Sequence, residues 1–497
     1  MTANLSIPFE TSKLFIGGEW VDPVDGEVVS SIDPSLGRGW AMAPMGGAAD
    51  IDRAVARAEE ALSGPWSRWS VIERSNLLRR IARLCLENAD QLAELESRDN
   101  GMPIKDARTS VANIANFYNY FASLADTLTG SQLPVDPNIH AYTQRVPAGV
   151  VGAIVAWNTP LQNTAWKVGP ALATGCTLVI KPAEQTPISS LAMAAIFTEA
   201  GVPPGVINIV PGLGTLAGVR LVESERVNKI AFTGEHRTAQ EIMRRGAANL
   251  KRLSFECGGK APHIIFDDAR LDQALNAALG SAFALTGQSC ALGSRVLVQR
   301  SVYERVIEEL ARRAASIRVG VASDIKTQMG PQAHAAQLDK TLRYIGYGRE
   351  DGARLVTGGA RLNGNLQDGY FMQPTIFADV EPGMRIAQDE IFGPVCSIIP
   401  FGDEDEAVAI ANGTQYGLVA GVWTENLGRA HRLSQRLRAG TVWVNTYRFV
   451  RWNIPYGGIG ISGLGRENGP AALDPYLETK STVVSLTSQF ADPYPAG

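Results

Sequence analysis

Cys290 stands in the setting Gly287-Gln288-Ser289-Cys290, between an Ala-rich apolar helical run (Ala274 to Leu285) and a strand-like run, Arg295-Val296-Leu297-Val298. A thiol placed there can face a cleft and act as a nucleophile, provided its surroundings favour the thiolate. A cysteine taken alone is more often a buried apolar filler. Two other residues change that weighing. Glu256 ends a strand-like segment, Arg252 to Phe255, and precedes Gly258-Gly259-Lys260. In an apolar pocket its carboxylate would have a raised pKa, which suits a general base. Asn158 follows the strand-like run Val150 to Ala156. Its side-chain amide could donate to a developing oxyanion together with the backbone N–H of Cys290.

Further residues suit a dinucleotide. Lys181-Pro182-Ala183-Glu184 lies just past a strand. A carboxylate such as Glu184 can accept from both hydroxyls of an adenosine ribose, which favours NAD over NADP; an ordinary surface ion pair explains the same letters equally well. Phe232-Thr233-Gly234 ends another strand and leads into a helix, whose free N–H groups can receive a pyrophosphate. The Gly-x-Gly-x-x-Gly fingerprint is absent, and Gly212-Leu213-Gly214 supplies only part of it.

Composition bounds the alternatives. The chain has 497 residues, too many for one ordinary core, so two or three domains are expected. Apolar residues make up 45%, and the formal net charge is −4. That charge, with no basic tract, gives no electrostatic case for nucleic acid. The five cysteines (Cys85, Cys176, Cys257, Cys290, Cys396) and five histidines show no metal-ligand spacing, so no metal is expected. No apolar run approaches the roughly 20 residues needed to span a bilayer, and the first ten residues lack a leader pattern. A cytoplasmic protein without membrane contact is the expectation.

These side chains need elements to hold them. Lys13 to Ser31 reads as an early hairpin around Gly17-Gly18 and Asp25-Gly26. Ile51 to Leu62, with Asp50 as its N-cap, Ile72 to Glu87, Ala89 to Arg98 and Val111 to Leu128 read as helices. Thr129 to Val146 reads as a loop and a short strand, either an oligomer contact or an exposed arm. From Val150 to Phe232 strands alternate with helices, which predicts a parallel sheet covered on both faces, with ligands beyond its carboxyl ends. A second α/β series runs from Ala261 to Asn445, and the tail Lys480 to Ser488 is β-prone.

Taken in order, Trp157-Asn158, Lys181 to Glu184, Phe232 to Gly234, Glu256 with Gly258 to Lys260, Gly287 to Cys290, Glu390-Ile391-Phe392-Gly393-Pro394 and Pro455-Tyr456-Gly457-Gly458 through Ser462 to Glu467 resemble the aldehyde dehydrogenase superfamily from about Phe15 to Val484. The resemblance implies an α/β fold of three parts. A Rossmann-type NAD-binding domain would take residues 1–124 and 148–257, a catalytic domain 258–476, and a small β oligomerisation arm 125–147 and 477–497. It implies oxidation of an aldehyde to the free acid with NAD, NADP being less favoured, and a homodimer or homotetramer. Cys290 would be the nucleophile, Asn158 the oxyanion donor and Glu256 the base that activates water. Relatives that pass the acyl group to coenzyme A typically lack that carboxylate. Lys167 and Glu467 resemble a proton-relay pair and could equally be a structural ion pair. Ile154, Ala156, Trp157, Lys181, Glu184, Gly214, Phe232, Gly234, Glu235, Gly258, Glu390 and Phe392 match cofactor contacts. Thr159, Asn163, Trp166, Ser289, Arg448, Val450 and Tyr456 match the substrate channel, with Arg451 as a further candidate to face it and Tyr118 another, although the Tyr118-Tyr120-Phe121 group reads first as core or interface.

There are departures from the pattern. Glu235 replaces a common serine beside the expected pyrophosphate and would repel it unless it points away or is neutralised, for which Arg237 is placed. Cys257 replaces a frequent leucine, either as a volume change or as an accessory thiol. An arginine at 448 or 451 would suit a polar or carboxylate-bearing aldehyde, or would sit solvated at the channel mouth.

Overall fold

A computed structural model describes residues 11–487, 490 and 492–494. Strands β1 (Leu14–Ile16) and β2 (Glu19–Val21) form the expected hairpin about Gly17-Gly18. It does not run on to Ser31. The Asp25-Gly26 turn redirects the chain, and β3 (Val28–Asp33) pairs instead with β4 (Arg38–Pro44) in a separate ribbon. Helix α1 (Ala48–Ser63) starts earlier than the sequence suggests, with Gly47 as its N-cap. Asp50 is not the cap. It sits one turn in and accepts from the Gly47 N–H at 3.1 Å, the reach of an N3 carboxylate back to the N-cap N–H in a capping box. Helices α2 (Val71–Glu87), α3 (Ala89–Asn100) and α4 (Ile104–Ala125) follow. Helix α4 buries Ala107, Val111, Ile114, Tyr118, Phe121 and Ala125 at helical spacing.

The region read as a loop and one strand is a two-stranded hairpin, β5 (Gln132–Asp136) and β6 (Ile139–Pro147). The chain then alternates: β7 (Val150–Ile154), α5 (Pro160–Thr174), β8 (Thr177–Lys181), α6 (Ile188–Ala200), β9 (Ile207–Ile209), α7 (Val219–Glu223), β10 (Lys229–Gly234), α8 (His236–Gly246), β11 (Arg252–Cys257). Strands β7, β8 and β9 are buried on both faces, the mark of a sheet covered by helices. The chain moves from β7 outward to β8 and β9, then crosses to β10 on the other side of β7. That reversal opens a crevice at the carboxyl ends of β7 and β10.

The second series comprises β12 (Pro262–Ile265), α9 (Leu271–Phe283), β13 (Arg295–Gln299), α10 (Tyr303–Ala315), α11 (Ala335–Glu350), β14 (Arg354–Thr357), β15 (Thr375–Ala378), α12 (Arg385–Gln388), β16 (Val395–Phe401), α13 (Glu404–Asn412), β17 (Val419–Trp423), α14 (Leu427–Arg436) and β18 (Thr441–Val444). Among the described residues these strands form a seven-stranded sheet, β14-β15-β16-β13-β12-β17-β18, parallel except at β14. The first sheet has eight strands, because β19 (Gly463–Leu464) adds antiparallel to β11 and β1-β2 add beyond β9. Finally β20 (Leu477–Ser485) pairs antiparallel along the whole of β6. Among the described residues no helix is long and apolar enough to cross a membrane.

Candidate active site

A cavity of about 360 Å³ is lined from both large sheets. The first contributes the turn after β7 (Ala156 to Thr159), the end of β10 (Thr233, Gly234) and the end of β11 (Glu256, Cys257). The second contributes Leu285, Ser289 to Ala291, Glu390, Phe392 and the loop after β18.

Cys290 reaches the cavity through a sharp departure from α9. The helix ends at Phe283, not at Leu285 as the apolar run suggests. Leu285, Thr286 and Gly287 then take φ values of 53°, 58° and 73°. Two successive non-glycine residues in the left-handed region are strained, as active-site segments often are. Gly287 is required for a second reason: a Cβ there would lie 2.0 Å from the Gly393 carbonyl carbon. The loop is thereby pressed against the turn that carries Glu390 and Phe392. Gln288 braces it further, accepting from the Ala333 N–H at 2.9 Å.

The Cys290 Sγ lies half-buried, 3.3 Å from the Tyr456 hydroxyl. Burial pushes its thiol up to about 11, against a lowering hydrogen bond with Tyr456 and with the nearby Glu256 carboxyl adding to the rise. By itself this setting holds the thiol, not the anion that the sequence reading asked for.

Asn158 donates from Nδ2 to the Gln288 carbonyl at 3.0 Å, and its Oδ1 accepts from Asn163 Nδ2 at 3.3 Å. The amide is thus locked beside the Cys290 loop, with one N–H unspent. Glu256 is buried, and among the described residues its Oε2 has no partner. Its carboxyl is held well above the usual range, first by burial and then by the charge of Glu467, against the opposing pull of Lys167 and Arg466. Gly457 permits the close approach, since a Cβ there would sit 2.7 Å from Glu256 Oε1. Lys167 and Glu467 form a buried ion pair.

Of the expected dinucleotide contacts, Ala156, Trp157, Gly234, Glu235, Gly258, Glu390 and Phe392 line the cavity, and Ile154, Lys181, Glu184, Gly214 and Phe232 do not. Ile154, Lys181 and Phe232 lie side by side at adjacent strand ends of the same sheet. Lys181 donates from Nζ to the Gly212 carbonyl at 2.6 Å and to Glu184 at 3.2 Å. Gly214 is exposed in the turn beyond Gly212. Glu390 accepts from the Gly259 N–H at 3.0 Å, and burial raises its carboxyl to about 7. The Phe392 ring meets Trp157 edge-on at 5.2 Å. Exposed Glu235 has Arg237 at 3.8 Å and so points into solvent with a counter-charge beside it.

All seven expected channel residues line the cavity. Trp166 packs between Phe117 and Tyr456, with centroids at 6.2 and 5.5 Å. Tyr118 is core, fully buried and absent from the lining. Its helix presents Ile114 and Phe117 instead, an i, i+3 pair that the helical repeat could have revealed. Asn468 was missed as well; it lines the cavity with an unpartnered, buried Oδ1. The Cys290–Tyr456 contact left no trace in the sequence, because it joins residues 166 apart. Cys257 packs with Phe232 and Phe255 and its thiol is pushed up to about 12, which favours the volume change over an accessory thiol. Among the described residues no cluster of His, Cys, Asp and Glu could hold a metal ion.

Fold and cavity define a class: an α/β protein of paired sheets whose strand ends enclose a thiol, a fixed amide and a buried carboxylate. The sequence profile of the aldehyde dehydrogenase family matches residues 20–482. The protein named putative aldehyde dehydrogenase DhaS of Bacillus subtilis (strain 168) is 44% identical over 478 residues, covering 96% of each chain. An aldehyde dehydrogenase of Bacillus cereus in complex with NAD+ superposes with a TM-score of 0.95 at 41% identity, over 97% of this chain and 98% of that one. Betaine aldehyde dehydrogenase of Staphylococcus aureus with NAD+ gives 0.96 at 34% identity, over 98% and 97%. The chain belongs to the aldehyde dehydrogenase family.

Proposed function

We propose that this protein oxidises an aldehyde to the free carboxylic acid with NAD, using Cys290, Asn158 and Glu256. The observation that carries the reading is the convergence of these three side chains, from three separate elements, on one cavity. The residues suit a dinucleotide. Helix α8 begins with no side chain bonded to its first N–H groups, Glu184 keeps a half-exposed carboxylate at a strand end, and Gly258 leaves room for Glu390 where a Cβ would collide. Lys181 and Glu184 would hold the adenosine ribose, and Glu390 and Phe392 the nicotinamide end. NAD bound there supplies the hydride acceptor.

The Cys290 thiol first loses its proton to solvent, and the Sγ anion then adds to the carbonyl carbon, giving a thiohemiacetal whose oxyanion is met by the spare Asn158 N–H and the Cys290 N–H. Oxidation leaves an acyl thioester on Cys290. Glu256 then takes a proton from water, the water oxygen attacks the acyl carbon, the C–S bond breaks, and the acid leaves. Lys167 and Glu467 carry the proton onward. In this reading residues 1–124 and 148–257 bind NAD, 258–476 supply the nucleophile, and 125–147 with 477–497 join copies into a dimer or tetramer; of these, 1–10, 488, 489, 491 and 495–497 lie outside the described residues.

NADH formation with a panel of aliphatic, aromatic and charged aldehydes tests the reading; no turnover with any of them overturns it. Cys290→Ala is expected to lower kcat by at least about a thousandfold while NAD still quenches tryptophan fluorescence. Product release that requires added coenzyme A would replace hydrolysis with acyl transfer.

A further inference from the structure

The loop after β18 brings two arginines to the cavity, and the structure gives them different occupations. Arg451 lies over the rings of Phe449 at 4.6 Å and Trp452 at 5.9 Å, and donates to the Val450 carbonyl at 3.4 Å. Its charge is spent on holding the loop. Arg448 lines the same cavity as Cys290; its backbone carbonyl accepts from the Val450 N–H at 2.9 Å, while among the described residues its guanidinium makes no hydrogen bond and no ion pair. The fully buried Arg295 is treated differently. It donates to the carbonyls of Lys260, Ile410 and Ala411 at 2.7–2.8 Å.

A guanidinium carries five N–H donors and cannot shed its charge, and Arg448 is half-buried in the cavity wall with those donors open to a bound ligand. Arg448 also sits at φ 55°, a left-handed backbone that a non-glycine residue adopts only when its surroundings impose it. Burial lowers its pKa from the ordinary value, and the groups that act on it in return are Cys290 and Tyr456 first, then Tyr447 and Asp106. Arg448 and the nucleophile therefore face one shared cavity. The neighbouring lining is polar, with Asn113, Gln162, Asn163 and Asn468.

We propose that Arg448 is the specificity-determining residue of this cavity and receives a carboxylate carried by the aldehyde substrate, so that the preferred substrates are short ω-oxo acids. The planar fork of the guanidinium matches a carboxylate with two parallel hydrogen bonds, which a neutral aldehyde cannot provide. The proposal rests on the aldehyde-oxidising reading above.

The test compares kcat/KM for 4-oxobutanoate and 5-oxopentanoate with butanal and pentanal. The wild-type chain is expected to prefer at least one acid over its neutral match by tenfold or more. In Arg448→Met that ratio is expected to collapse by roughly thirtyfold or more, mainly through KM, with part of it kept in Arg448→Lys. A ratio taken within one variant is insensitive to how much of that variant folds. Should neither variant fold, competition against 5-oxopentanoate in the wild type serves, with glutarate expected to inhibit at least tenfold more tightly than pentanoate. Oxidation of the neutral aldehydes as efficiently as the acids overturns the assignment and leaves the dehydrogenase reading intact. Oxidation of no aldehyde at all removes both. An unchanged ratio in Arg448→Met, with a displaced pH profile for alkylation of Cys290 by iodoacetamide, also overturns it, because Arg448 would then be serving the thiol.

Discussion

Glu256 and Cys290 share a difficulty: both are pushed by burial toward their neutral forms. Raising the pH increases the charged fraction of each, so turnover is expected to climb through neutral pH into the alkaline range. Stopped-flow measurement of kcat from pH 6 to 9 checks the sign; a fall with rising pH would count against both roles. Glu256→Gln separates the two steps. It is expected to release up to about one NADH per site in a fast burst and then to turn over about 10²–10⁴-fold more slowly, since only hydrolysis needs the base. Asn158 illustrates what the sequence could and could not tell. An amide at a strand end near a nucleophile was legible as a donor. That its other contacts, to Gln288 and Asn163, fix its direction is a fact of packing between distant segments.

At the level of elements, most strands and helices were readable because buried runs and helical periodicity are local. The failures have local causes too. Asp50 looks like a cap because Asp at a helix start usually is one, and here glycine caps while the carboxylate reaches back. The β3-β4 ribbon was missed because its partners are joined by a short Asp33 to Gly37 turn with no strong alternation. The bend after α9 was missed because nothing in Ala284-Leu285-Thr286 announces left-handed backbone. Gly287→Ala is expected to cost well over about 1 kcal/mol, from its positive φ together with the backbone it would strike, and to lower activity further by moving Cys290; calorimetry and NADH assays at one temperature show both. Helix α3 offers a pH prediction. Glu96 is wholly buried where it accepts from the Leu161 N–H that begins α5, and burial raises it to about 8. With the folded pKa above the unfolded one, its contribution to stability is complete below the ordinary glutamate range. It is lost as pH rises through about 8, by at most about 1.4 kcal/mol per pH unit. Melting curves should flatten over that window in Glu96→Gln, which keeps the acceptor and cannot ionise.

Across the whole molecule, the sheet β20-β6-β5 stands apart from the two large sheets and exposes Leu133, Val135, Val483, Val484 and Leu486. Solvent is an unfavourable neighbour for that much aliphatic surface on a sheet with two free edges. If it joins copies of the chain, Val483→Lys combined with Leu486→Lys should shift sedimentation velocity toward monomer while leaving the far-UV spectrum unchanged; an unaltered sedimentation coefficient would place the contact elsewhere. The sequence marked this region as an arm, and could not show that the tail pairs with it through nine successive residues, because those partners are more than 300 residues apart.

The contact of Gly287 with Gly393 has an evolutionary side. Backbone pressed on backbone allows neither segment to drift alone, so the end of the cavity where bonds are made is frozen as one piece. The rest of the wall comes from the loop Arg448 to Trp452 and a few side chains of α4, which meet the cavity through side chains and not through such a backbone contact. New diets for this scaffold should therefore arise by editing that wall, a residue at a time, while the reacting end is inherited whole.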